Sequence, residues 1–157
     1  MRRDYFTLQV SNVDWVEEDE GTPAKPTVTI EFEGPVSTLR ERLTGTDGEP
    51  LEAAETDVAF RLQDSLDGEA PRGVVSVTNR VTGDFILELN EDADDVLTFI
   101  KAARRYGESA DGEGEYTVEV SLEGESFVTY DKSTFLVYNE EGGLLRSQSL
   151  IPSGVEL

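Results

Sequence analysis

The chain has 157 residues, with 34 acidic against 13 basic side chains, a formal net charge of −21, and neither cysteine nor histidine. That length suits one domain, 1-157, with a core of its own. The composition excludes disulfide frameworks, thiolate nucleophiles and histidine-based zinc or triad chemistry, and the charge argues against nucleic-acid and anionic-membrane partners.

In chain order, Tyr5 to Val13 alternates, with Phe6, Leu8 and Val10 on one face of a strand. Trp15 and the acidic run Glu17–Glu20 follow, then a turn-rich loop. Thr27 to Glu33 is a second strand with Val28, Ile30 and Phe32 inward. Gly34-Pro35 opens a short helix over about 36-43, since Val36, Leu39 and Leu43 recur at helical spacing and Pro35 suits a first turn. After a loop, Val58, Phe60 and Leu62 mark the strand Asp57 to Asp64, and Val74 to Thr78 marks another.

The organising stretch runs from Asn79 to Gly107. Thr82-Gly83-Asp84 signals a turn, so Val74–Thr78 and Phe85–Leu89 form a hairpin with Phe85, Leu87 and Leu89 on one face. Asn90 is the expected N-cap of one long helix over about 91-106, and Gly107 the residue that closes it. Ala93, Val96, Phe99, Ile100, Ala103 and Tyr106 form its apolar stripe. Acids at its start and Lys101, Arg104 and Arg105 near its end suit the helix dipole. Beyond it, Tyr116, Val118, Val120 and Leu122 mark a strand, Gly124 turns the chain, and Phe127–Tyr130 returns. Glu140-Glu141-Gly142-Gly143 joins Thr134–Tyr138 to Leu144–Leu150 as a hairpin.

The expected fold is therefore α+β: a mainly antiparallel sheet, one face covered by the long helix, with the short helix beside it. Segments 27-63 and 84-122 echo each other. An offset of 57 lays Ile30 on Leu87, Phe32 on Leu89, Leu39 on Val96 and Leu43 on Ile100, a weak internal duplication of strand, helix and strand.

The acids are spread through strand patterns rather than gathered in a tail, so they belong to a folded surface. Only three cations are lysines, Lys25, Lys101 and Lys132. Such a surface repels itself in dilute buffer, but in molar salt the screening length falls to about 3 Å. No apolar run forms a signal peptide or membrane span, which makes the cytoplasm the expected compartment.

The chemical motifs are few. Asp111 to Glu115 begins like a calcium loop, but Tyr116 and Leu122 stand where glycine and glutamate are needed. Gly112-Glu113-Gly114 precedes a strand and lacks the third glycine of a dinucleotide fingerprint, and no Gly-Lys pair offers a phosphate loop. No cofactor or metal is expected. Tyr130-Asp131-Lys132-Ser133 reads as a strand end with its turn.

The pieces RRDYFTLQV, DVAFRLQD, VVSVTNRVTGDFILELNED, FIKAARRYGE, KSTFLVY and SLIPSGVEL resemble a family of uncharacterised acidic haloarchaeal proteins. The resemblance covers nearly the whole chain and implies a halophilic source. It implies no activity, because that family is a domain of unknown function, and no residue role comes with it.

What remains is recognition. Asn79 and Arg80 lie at a turn, and Arg104, Arg105 and Arg146 are guanidiniums where cations are scarce, each able to grip a carboxylate or phosphate. Local acids and dipole compensation explain the same arginines without a ligand. Leu150, Ile151, Val155 and Leu157 either dock on their own domain or offer a patch to a partner. The leading expectation is a non-catalytic interaction or structural module that binds an unknown protein partner or forms a homodimer. A small anionic-ligand or nucleotide sensor is the alternative, and a carboxylate-based enzyme the third reading.

Overall fold

Alternation of apolar and polar residues becomes alternation of buried and exposed side chains along most of the strands. In a computed structural model, residues 5–13, 24–65, 67–109 and 115–151 are described. They form β1 (Phe6–Ser11), β2 (Thr27–Phe32), α1 (Val36–Arg42), β3 (Thr56–Leu62), β4 (Arg72–Asn79), β5 (Phe85–Asp92), α2 (Ala93–Ser109), β6 (Tyr116–Leu122), β7 (Glu125–Lys132) and β8 (Leu136–Tyr138). Trp15, the run Glu17–Glu20, most of the calcium-like loop, and Val155 and Leu157 lie outside the described residues.

The α+β, mainly antiparallel expectation holds, with the strands divided between two sheets. The first has the order β1-β2-β6-β7 and the second β5-β4-β3-β8. Each contains one parallel pair, β2 with β6 and β3 with β8. The inner faces meet in one buried cluster: Val28, Ile30 and Phe32 from the first sheet join Val58, Phe60 and Leu62 from the second. Helix α2 enters the same cluster through Val96, Phe99 and Ile100. The Phe99 ring meets Tyr116 edge-on at 5.3 Å and Phe135 at 6.3 Å, within the range where aromatic pairs attract.

The echo at offset 57 has a structural counterpart. All eight paired residues are buried. The two units run in opposite senses, however: β2–α1–β3 passes from the first sheet to the second, and β5–α2–β6 passes back.

Four local expectations are corrected. Asn90 is not a helix cap; it lies in β5 opposite Val74, because Gly73 and Arg72 extend the ladder to Glu91 and Asp92. The helix starts at Ala93 and runs through Gly107 to Ser109. Phe85 does not share the inner face with Leu87. The β4–β5 register shifts between Val77 and Thr78, so that Ile86 is the extra residue, Ile86 and Leu87 are both buried, and Phe85 is 58% exposed. Leu144–Leu150 is not a strand: it returns along β8 through isolated bridges, Tyr138 with Leu144 and Phe135 with Leu150, around a 3-10 turn at Arg146–Gln148. By contrast, the β6–β7 turn is as tight as Gly124 suggests, with Glu123 and Gly124 both at positive φ (51° and 86°).

Candidate functional site

The sequence-predicted residues fall in two places. Asn79 ends β4 and organises the turn into β5. Its Oδ1 accepts from the N–H groups of Val81 (2.9 Å) and Thr82 (3.2 Å), and Gly83 takes the left-handed conformation at φ 81°. Asn79 also lines a polar cavity of about 390 Å³ with Arg42, Thr82 and Phe85. Beside it, Arg80 donates from Nε to Asp57 at 3.0 Å. That bond, with the charge of Asp57, raises its already high pKa. Its guanidinium is therefore committed to its own chain.

Arg104 lies far away in sequence and role. Its Nη2 donates to the carbonyls of Ser149 (2.8 Å) and Ser147 (3.3 Å), pinning the return segment to α2. Leu150 is buried there against Phe135, so the described part of the C-terminal apolar segment docks on its own domain. Arg105 and Arg146 are exposed, and each is engaged in an interaction of its own. The five residues do not converge on one site.

Other polar groups are used structurally. Lys132 ends β7, and its ammonium donates to the carbonyl of Ala53 at 2.7 Å and to that of Thr56. Burial lowers its pKa. On the same strand face, the Tyr130 hydroxyl is buried without a hydrogen-bond partner among the described residues, and its pKa is pushed up to about 12, first by burial and then by the charge of Glu55. Glu91, Asp92 and Asp95 bring carboxylate oxygens within 4.8 Å of one another. Asp92 is 3.5 Å from Arg72, and Glu91 accepts the Asp92 N–H at 3.0 Å, so part of this cluster is already satisfied. No Asp or Glu among the described residues is buried, so they supply no enclosed acid–base pair.

The outer face of the second sheet is different. Register places Asn90, Val74, Arg61 and Tyr138 in one row across the four strands, and Glu88, Ser76, Ala59 and Leu136 in the next. Phe85, Thr78 and Asp57 form a third. Small residues at the centre, Ala59 and Ser76, are flanked by Phe85 and Glu88 on one side and by Arg61 and Tyr138 on the other. The result is a groove of about 510 Å³, within the size range of ligand and side-chain docking sites. Phe85 and, next to it in the turn, Val81 are the large apolar residues most exposed among those described (58% and 73%). Arg61 is exposed and makes none of the ion pairs found among the described residues.

Sequence reasoning missed Phe85 and Arg61. Phe85 sits in phase with Leu87 in the sequence, and only the bulge turns it outward. Arg61 occupies an ordinary polar position between Phe60 and Leu62, with no sequence signal to distinguish it.

Compared with known proteins, the chain matches over residues 1–157 a family model described as a family of unknown function, DUF5793. No curated protein and no solved structure matches it. Among the described residues, no helix is long and apolar enough to cross a membrane.

Proposed function

The chain belongs to the family of unknown function DUF5793, and we propose that it is a non-catalytic interaction module of a salt-adapted cytoplasm, with the outer face of its second sheet as the contact surface. One observation carries this reading. Among the described residues, a groove opens on the sheet face that holds exposed Phe85 and half-buried Tyr138, Leu136 and Val74, while the paired rows on the corresponding face of the first sheet are polar. Exposed apolar surface of this kind costs solubility unless something covers it.

The test is a pull-down at native salt with the wild-type chain and a Phe85→Ser variant as baits, alongside light scattering. The expected result is a partner, or a self-associated form, that Phe85→Ser loses. A wild-type chain that stays monomeric and captures the same proteins as Phe85→Ser overturns the reading. Salt adaptation is tested separately by circular dichroism with KCl stepped from multimolar to about 0.1 M. The net charge of −21 predicts weakening at the low end. An unchanged melting point there dismisses it.

The alternative, a small anionic-ligand or nucleotide sensor, shifts from Arg80 and Arg104, whose guanidiniums are occupied, to Arg61 in the groove. A thermal-shift screen with ATP and inorganic phosphate in high salt decides it. No stabilisation by either anion ends this alternative.

A further inference from the structure

We infer that the outer face of the second sheet binds the same face of a second copy of this chain, across a twofold axis that sets Arg61 against the partner's Glu88. The inference rests on the reading of this face as the contact surface and names its occupant.

Register sets the geometry. Neighbouring strands lie about 4.8 Å apart and same-face residues along a strand about 6.8 Å apart. Arg61 on β3 and Glu88 on β5 are separated by two strands and one row, so their Cα positions lie roughly 12 Å apart on a diagonal. In a face-to-face dimer the twofold axis lies in the plane of contact. An axis along the bisector of that diagonal exchanges the two positions, and Arg61 of each copy then meets Glu88 of the other. On the same grid this axis carries Phe85 to the neighbourhood of the partner's Tyr138, and Ala59 to that of the partner's Ser76. Aromatic corner meets aromatic corner, and the small central residues let the sheets approach. One axis satisfies the Arg61–Glu88, aromatic and small-residue matches together, and it brings Asp57, whose carboxylate pairs with Arg80, near its own counterpart.

Charge complementarity selects this occupant over others. A basic segment would suit Glu88 and Glu140 but would face Arg61 with another cation. An acidic segment would suit Arg61 and place carboxylates against Glu88. A second copy supplies the matching sign at both ends of the diagonal. Glu88 already interacts within its own chain, and a carboxylate has acceptor sites for further donors. The sheet's edges offer less: β8 is bridged by Leu144 and Leu150, and on β5 the Ile86 carbonyl accepts from Arg42 at 3.4 Å. Among the described residues, the face offers the groove. Repulsion between two chains of −21 opposes the contact in dilute buffer and is screened in molar salt, so the dimer is salt-dependent.

The test is sedimentation equilibrium of the full chain over a range of concentrations at about 2 M KCl, where screening extends only a few ångströms. Wild type is expected to dimerise. Arg61→Glu and Glu88→Arg should each weaken the dimer by on the order of tenfold or more, and the double swap Arg61→Glu with Glu88→Arg should restore it. Circular dichroism confirms that each variant is folded, which keeps a folding failure apart from lost association. Three results overturn the inference: a wild-type monomer at every concentration, a dimer indifferent to Arg61→Glu, or a double swap no better than the single variants. If the wild type is monomeric yet Phe85→Ser still loses a partner in the pull-down, the second copy is rejected as occupant and the interaction-module reading survives.

Discussion

Both sheets bury an aliphatic inner face, yet their outer faces are built from different residues. On the first sheet the outward rows are Thr7 beside Glu31, Gln9 beside Thr29, and Ser11 beside Thr27, continuing into Thr117 and Glu119. These hydroxyl and charged side chains satisfy themselves with water or with each other, as Thr117 does by donating to Asp131 at 3.1 Å. Asp131 also takes Lys25 at 2.7 Å, and these two bonds hold its carboxyl below the usual range. On the second sheet the outward rows interleave Val74, Ala59, Leu136, Tyr138 and Phe85 with the polar Asn90, Arg61, Glu88, Ser76, Thr78 and Asp57. Threonine is a strand former too, so strand propensity alone does not call for apolar residues there. Core formation thus leaves the outer faces free to diverge, and the more apolar one is where an interaction is to be sought.

The contrast is tested hardest by truncating one phenylalanine on each side of the second sheet. Phe60 lies on the inner face and is fully buried, so Phe60→Ala should cost about 3–5 kcal/mol of unfolding free energy. Phe85→Ser on the outer face should change it by less than about 0.5 kcal/mol while abolishing association. Urea titrations of both variants measure this directly. Equal losses would mean that Phe85 supports the fold.

Gly73 tests how tightly the two faces are coupled through the sheet. A Cβ there would lie 2.6 Å from the Phe60 ring, and closer still to the Arg61 carbonyl. Gly73→Ala should therefore destabilise by about 1–3 kcal/mol through forced repacking. A neutral result would show that β3 and β4 can yield.

Arg104→Ala should cost about 1–2 kcal/mol, because two backbone carbonyls lose a charged donor. The loss should be local. Amide exchange should accelerate over 144–150, beside β8, and leave the first sheet unchanged.

The smallest effect concerns Glu91, near the end of β5 opposite Gly73. Burial, helped by the charges of Asp95 and Asp92 and opposed by the Asp92 N–H, raises its pKa above the ordinary 4.5. The folded state therefore holds this proton more firmly than the unfolded state does. The resulting stability is fully present below the ordinary value and is lost as pH rises through the folded value. At neutral pH the ionised group is a burden, and Glu91→Gln should stabilise by up to about 1 kcal/mol, reduced by solvent screening. The gain should shrink as pH falls below the carboxylate range. Denaturant midpoints at neutral and acidic pH check the sign.

Much of the fold was legible because the two periodicities are strong in this chain. Val28, Ile30 and Phe32, then Val58, Phe60 and Leu62, then Tyr116 to Leu122 point inward as a period of two demands. Val96, Phe99, Ile100 and Ala103 do the same at helical spacing. The failures have one physical origin, which is that pairing partners override local signals. Asn90 has the chemistry of a cap, but Val74 stands opposite it and keeps it in the sheet. Of the candidate residues, Asn79 was found through its turn chemistry and does line a cavity. Arg80 and Arg104 were found through their scarcity, and their partners, Asp57 and the carbonyls of Ser147 and Ser149, lie 23 to 45 residues away in the chain.

Legible in the chain alone were the inner faces, the helical stripe of α2, the tight turns at Gly83 and Gly124, and an acidic composition with a net charge of −21. These depend on neighbours a few residues apart, and local chemistry settles them. Long-range pairing established the rest: that there are two sheets, that β2 lies parallel to β6 and β3 to β8, that Phe85 faces outward, and that Arg61 and Glu88 share one outer face. Each of those depends on which distant strand supplies the opposite row, and neither the period nor the composition of a single strand carries that information.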